Sequence, residues 1–170
     1  RGHVNSSGPV DTAITYLDHA ASAPMRPEAV EAMLPYLRDQ YANPSGSHRF
    51  ARQARQAVDE SRDRVAAVLG CRPNDVVFTG SGTESDNMAI TGAVTRSGGV
   101  AVCPATEHHA VLQVVEHHGG VVVGVDHAGR VDLEHLAAAL DEIVAADRSV
   151  AIVSVMAVNN EVGSINDLEA

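Results

Sequence analysis

A chain of 170 residues with 45% hydrophobic content is long enough for one compact domain with a real core. Aromatic residues make up only 3% and Trp is absent, so the core must be built from Ala, Val and Leu, small enough to let helices lie close on a sheet. A formal net charge of -10 repels nucleic acid and acidic membranes at long range, and no run approaches the roughly 18 apolar residues of a membrane span.

All 12 basic residues are arginine, and there is no lysine. Cys71 and Cys103 lack metal-ligand spacing and the density of a disulfide scaffold, so a reduced, cytoplasmic protein is expected. Residues 1–13, rich in Gly, Ser, Asn and Pro, read as a flexible lead-in or as residues added to the natural chain.

In chain order, residues 14–17 read as a short extended segment entering Asp18-His19-Ala20-Ala21-Ser22-Ala23-Pro24. Pro27 suits a first helical turn, and Val30, Met33, Leu34 and Leu37 at helical spacing predict a helix to about Arg38, kinked or cut short at Pro35. Asn43-Pro44-Ser45-Gly46-Ser47-His48 is a turn by composition. Phe50, Ala54, Ala57, Val58, Val65, Val68 and Leu69 then share one face of a long amphipathic helix that closes at Gly70.

Val76, Val77 and Phe78 favour a strand, and Thr83 with Glu84 suits the start of a helix through Ile90. A regular order follows: strand 100–103, helix 107–118, strand 121–125, helix 133–146 with Asp132 as cap, strand 150–156. Continuous apolar strands alternating with helices predict a parallel sheet covered on both faces, a three-layer α/β/α sandwich with right-handed crossovers. Residues 166–169 look like a helix opening with no room to continue, so the chain reads as the first part of something longer.

In such sheets ligands bind beyond the carboxyl ends of the strands, where three loops should converge: 80–85, 105–109 and 158–163. In the first, the helix amino end and the Ser81 and Thr83 hydroxyls suit a phosphate dianion; an ordinary capped strand-to-helix turn would look the same. In the second, His108 can lie against an aromatic ligand and pass protons near neutrality, or stand exposed at a helix start. In the third, Asn160 can donate to a phenolic or carbonyl oxygen or bond its own backbone as a turn residue, while Asn159, Glu161 and Gly163 read as shaping that turn. The pairs His108-His109 and His117-His118 lack the carboxylates or thiols that would complete a metal set, so no metal site is expected.

Together, Tyr16-Leu17-Asp18-His19-Ala20-Ala21-Ser22-Ala23-Pro24, Asn43-Pro44-Ser45, Ser47-His48-Arg49, Val77-Phe78-Thr79-Gly80-Ser81-Gly82-Thr83-Glu84-Ser85-Asp86-Asn87, Thr106-Glu107-His108 and Val158-Asn159-Asn160-Glu161-Val162-Gly163 resemble the amino-terminal half of the cysteine desulfurases. These belong to the class V aminotransferase group of pyridoxal-phosphate enzymes, and the resemblance runs in order from about Ile14 to the last residue. It implies the amino-terminal part of an aspartate-aminotransferase-like large domain. It also implies pyridoxal 5'-phosphate held by Gly82 and Thr83 at the phosphate, His108 on the ring as catalytic proton carrier, and Asn160 at the phenolic oxygen. The implied reaction removes sulfur from L-cysteine, giving L-alanine and an enzyme persulfide for iron-sulfur cluster or thio-cofactor assembly. A sulfur-acceptor or scaffold protein and a homodimeric enzyme are implied with it.

Ala157 departs from the family, which often has histidine there, so one secondary contact is missing. The family's cofactor-bearing lysine, the aspartate facing the pyridine nitrogen and the persulfide cysteine lie farther along than residue 170, and Cys71 and Cys103 stand elsewhere. The 170 residues alone are therefore expected to be inactive. Two other readings stay open: a different class V enzyme, such as a selenocysteine lyase or an aminotransferase, or a non-catalytic split module that binds a partner chain.

Overall fold

The computed structural model describes residues 15–169, which form two compact units divided between Val76 and Val77. The predicted lead-in, residues 1–13, and the start of the extended segment at Ile14 lie outside the described residues.

In the first unit, residues 15–17 are not in a strand. The Tyr16 hydroxyl donates to the Asp18 carbonyl at 2.8 Å and shares a 2.8 Å hydrogen bond with Ser22 Oγ, folding 18–22 into a turn. Helix α1, Pro27–Arg38, runs through Pro35 and does not end there, and it buries none of its residues. Helix α2, Arg49–Leu69, starts at the cap residue His48, whose Nδ1 accepts the Ala51 N–H at 3.1 Å, and ends at Gly70 with φ 67°, the left-handed cap the sequence predicts. Its buried residues are alanines: 51, 54 and 66. A 3₁₀ turn, Pro73–Asp75, follows, and the Arg72 guanidinium forks onto Asp75 and holds that carboxyl below its usual range.

The second unit is a parallel α/β/α sandwich. Strands β1, Val100–Pro104, β2, Val121–Val123, and β3, Val150–Val153, form a sheet in the order β2-β1-β3, both pairings parallel. Alternation along the central strand divides the core. Ala101 and Cys103 face Ile90 of α3, Gly82–Ser97, and Val111, Val114 and Val115 of α4, His109–His117. Val100 and Val102 face Ala139 and Ile143 of α5, Leu133–Ala145. Gly120 passes so close to the Ala101 carbonyl and Val115 that a Cβ there would collide with both.

Several boundaries differ from the sequence expectation for identifiable reasons. Residues 76–78 form no strand. Helix α3 continues past Ile90 because Gly92, costly inside a helix, is overridden by packing on β1 and α4, and the left-handed cap falls at Gly98, φ 67°. Helix α4 begins at His109, since His108 Nδ1 accepts the Ala110 N–H at 3.1 Å and so caps it. Strand β2 stops at Val123 because the Gly124 N–H donates to His135 Nδ1 at 2.8 Å and its carbonyl accepts from Asp132.

Strand β3 stops at Val153. The Ser154 N–H still reaches the Val102 carbonyl at 2.9 Å, but the next rung needs an N–H from Pro104, which proline lacks. The Met156 backbone is then claimed by side chains, its N–H by Glu107 and its carbonyl by Asn166 at 2.7 Å. Residues 166–169 are not helical. Among the described residues no helix is long and apolar enough to cross a membrane.

Candidate functional site

The loops after β1 and β3 meet beyond the carboxyl edge of the sheet and enclose a cavity of about 290 Å³. Thr106, His108, His109, Asn159, Asn160 and Glu161 contribute to its wall, so His108 and Asn160 come together as the sequence predicts. Both side chains are exposed. With Nδ1 of His108 engaged as an acceptor by the Ala110 N–H, the neutral ring carries its proton on Nε2. The Asn160 carboxamide has no hydrogen-bond partner among the described residues, which leaves its N–H₂ and its oxygen for a ligand.

Gly82 and Thr83 do not line that cavity. Thr83 instead borders a neighbouring groove of about 330 Å³ between α3 and α4, together with Asn87, Ala110 and His118. The α3 amino end is nevertheless a ready anion cradle. The Gly82 and Thr83 amides have no partner among the described residues, and the positive end of the 16-residue helix dipole lies behind them. A Cβ built on Gly82 would meet nothing within 4 Å, so the fold itself does not require glycine there. One group expected to hold phosphate is already partly engaged, since Ser81 Oγ accepts the Glu84 N–H at 3.2 Å, and next to it the Gly80 N–H is held by the Glu84 carboxylate at 2.6 Å. Glu84 thus closes a local cap on the turn, a variant of the serine-to-glutamate capping box.

Three buried polar side chains tie the loops together, and two of them, Glu107 and Asn159, line the cavity itself. Glu107, Asn159 and Asn166 are each 8% exposed and are the buried polar side chains among the described residues. The Asn159 carboxamide donates to the Thr106 carbonyl at 2.9 Å and accepts the Glu161 and Val162 N–H groups, both at 2.9 Å. Asn166 accepts the Val131 N–H at 2.8 Å while donating to Met156. Burial pushes the Glu107 carboxyl above the ordinary carboxylate range; the Met156 and His108 amides pull it back and the Asp86 charge raises it further. Asn159 shapes its turn as the sequence suggests, whereas Glu107, though inside the Thr106-Glu107-His108 motif, and Asn166 carry no signal of burial in the sequence.

The cysteines take no part in the cavity wall. Cys103 is fully buried in β1, with its thiol pushed up to about 11 by burial and by the Glu107 and Glu116 charges, and Cys71 is exposed beyond α2. His117 and His118 make an edge-to-face ring contact at 5.3 Å, and His118 Nε2 lies 3.1 Å from Thr91 Oγ1. No three His, Cys, Asp or Glu side chains gather among the described residues as they would around a metal ion.

A parallel sheet clothed by helices on both faces, with its polar cavity built by loops at the carboxyl edge, defines the class: an α/β/α domain of the ligand-binding kind. The family model Aminotransferase class-V matches residues 15–170, and the chain belongs to that family. The chain is 38% identical over 162 residues to the cysteine desulfurase IscS of Dictyoglomus turgidum, matching 91% of this chain and 40% of the relative. A solved NifS-like protein superimposes with a TM-score of 0.74 at 31% identity, over 88% of this chain and 42% of that one. A second structure, SspA in complex with cysteine, gives a TM-score of 0.72 at 29% identity, over 92% and 46% of the two chains. The chain therefore spans about two fifths of the length of the curated relatives it matches.

Proposed function

We propose that the whole protein, at the length of its relatives, is a pyridoxal-phosphate-dependent cysteine desulfurase that takes sulfur from L-cysteine, releases L-alanine and passes the sulfur on through an enzyme persulfide. The observation that carries this reading is the pairing of the His108 imidazole and the unengaged Asn160 carboxamide across one cavity at the carboxyl edge of the sheet. Relatives named cysteine desulfurase and a similar structure holding cysteine support the choice of substrate.

The residues present fit the cofactor. Free amides at Gly82 and Thr83, and a glycine whose missing Cβ leaves open space, suit a phosphate that must approach the backbone closely. Bound there, pyridoxal phosphate would supply the electron sink for the substrate amino acid. Gly82 and Thr83 would hold its phosphate, Asn160 would donate to its phenolic oxygen, and His108 would lie against the ring and carry protons at Nε2. The cofactor-bearing lysine and the persulfide cysteine come from outside residues 1–170. Delivery to an acceptor or scaffold protein for iron-sulfur cluster or thio-cofactor assembly, a cytoplasmic setting and a homodimer complete the proposal.

The test is cysteine-dependent alanine formation by the full-length protein. His108→Ala should lower it by about a hundredfold or more, the weight of a lost proton carrier, and Thr83→Val should weaken it by less. Turnover of selenocysteine alone, or transfer of the amino group in place of sulfur, would move the protein to another class V activity.

A further inference from the structure

His108 and Asn160 stand on separate loops, and something must keep them in register across the cavity. Neither loop is part of the sheet ladder: β1 ends at Pro104 and β3 at Val153. The bridging is done instead by two side chains, each next in sequence to a candidate site residue. The carboxylate of Glu107, beside His108, accepts the Met156 N–H from the segment leading into the third loop. The carboxamide of Asn159, beside Asn160, donates to the Thr106 carbonyl at 2.9 Å and wraps the Glu161 and Val162 amides around its own oxygen. The two links run in opposite directions, each loop supplying one side chain and one backbone partner. Burying a carboxylate and a carboxamide is costly unless they are fully bonded, and the described structure accepts that cost only here and at Asn166, which fastens the same segment through the Met156 carbonyl.

We propose that Glu107 and Asn159 are positioning residues, a reciprocal lock that fixes the His108 loop to the Asn160 loop and so sets the spacing of the two groups that the cofactor and substrate meet. This rests on the function proposed above. The lock acts through backbone placement. Because burial favours the uncharged form of the Glu107 carboxyl, glutamine is a close replacement: it keeps a carbonyl to accept the Met156 N–H. Asn159 has no comparable stand-in, since aspartate keeps the acceptor for Glu161 and Val162 but loses the donor to Thr106.

The experiment uses the full-length protein and the variants Glu107→Ala, Glu107→Gln, Asn159→Ala and Asn159→Asp. Amide hydrogen exchange is followed by mass spectrometry on cofactor-free protein, then pyridoxal 5'-phosphate affinity and steady-state kinetics are measured. Both alanine variants should raise exchange across residues 156–163 by about tenfold or more while residues 100–104 of the central strand stay protected, which separates an opened lock from a lost fold. They should also weaken cofactor binding and lower kcat by about tenfold to a hundredfold, with KM for cysteine changed less than about twofold. Glu107→Gln should restore all three readouts to near wild type, and Asn159→Asp should behave like the alanine variant. Unchanged exchange across 156–163 in the alanine variants overturns the lock. Raised exchange with unchanged cofactor affinity and kcat overturns its positioning role. A wild-type protein that binds no pyridoxal phosphate would sink the proposed function instead, and the exchange data would still decide whether Glu107 and Asn159 hold the loops together.

Discussion

In residues 15–76 the longest helix leaves Val68 and Leu69 at 87% and 68% exposure, whereas in residues 77–169 every residue of strand β1 is buried. Both segments were equally readable as apolar patterns. The difference teaches that hydrophobic periodicity predicts an element and the face it will cover, but not what covers that face. In the second unit the cover is local: α3 and α4 on one side of β1 and α5 on the other. In the first unit, α1 buries nothing and α2 buries only alanines.

The largest expected effect follows from that contrast. Ile90→Ala removes a side chain that is 2% exposed from the cluster on β1 and should cost about 2–5 kcal/mol of stability, whereas Val68→Ala should stay within about 0.5 kcal/mol. Urea unfolding of the two variants measures this directly. Equal losses would mean that the α2 face is covered as tightly as the sheet.

The two cysteines sharpen the comparison chemically. At pH 8 a maleimide should label exposed Cys71 readily and leave Cys103 intact in the folded protein, because a thiol pushed up to about 11 holds roughly one part in a thousand as thiolate. The folded value exceeds the ordinary 9.0, so the folded state binds the proton longer than the unfolded state does. This contribution to stability is whole below pH 9 and is lost as pH rises from 9.0 toward about 11, a slope that Cys103→Val should remove.

A smaller effect separates two glycines. Gly70→Ala forces a side chain into a left-handed conformation, φ 67°, and should cost about 1 kcal/mol. Gly82→Ala meets nothing within 4 Å, so folding stability should hold within about 0.5 kcal/mol while pyridoxal 5'-phosphate affinity of the full-length protein falls about tenfold. Thermal melts paired with cofactor titration check both, and loss of stability without loss of affinity at Gly82 would remove it from the cradle.

Much of the second unit was legible because its signals are local. Asp132 accepts the His135 N–H at 3.0 Å as a cap should, and the apolar runs at 100, 121 and 150 are strands. The ends of strands and helices were less legible, because distant groups decide them: His135 takes the amide that would extend β2, and Glu107 and Asn166 take the backbone of Met156. At the site, His108 and Asn160 could be found from residue type and loop position. Asn159 could be read as shaping its turn, but its bond to Thr106 and the burial of Glu107 could not, because a buried polar side chain looks in sequence like any other polar residue until its partner, 53 or 49 positions away, is in place.

Pro104 has a consequence beyond ending a strand. It lies on the central strand with its ring nitrogen turned toward β3, so the missing rung falls at one definite depth of the sheet. A slip of β3 along β1 could not lengthen the ladder past that point, since no donor waits there. A single absent hydrogen thus frees the chain after β3 from the sheet, and its residues 159–162 go on to line the cavity.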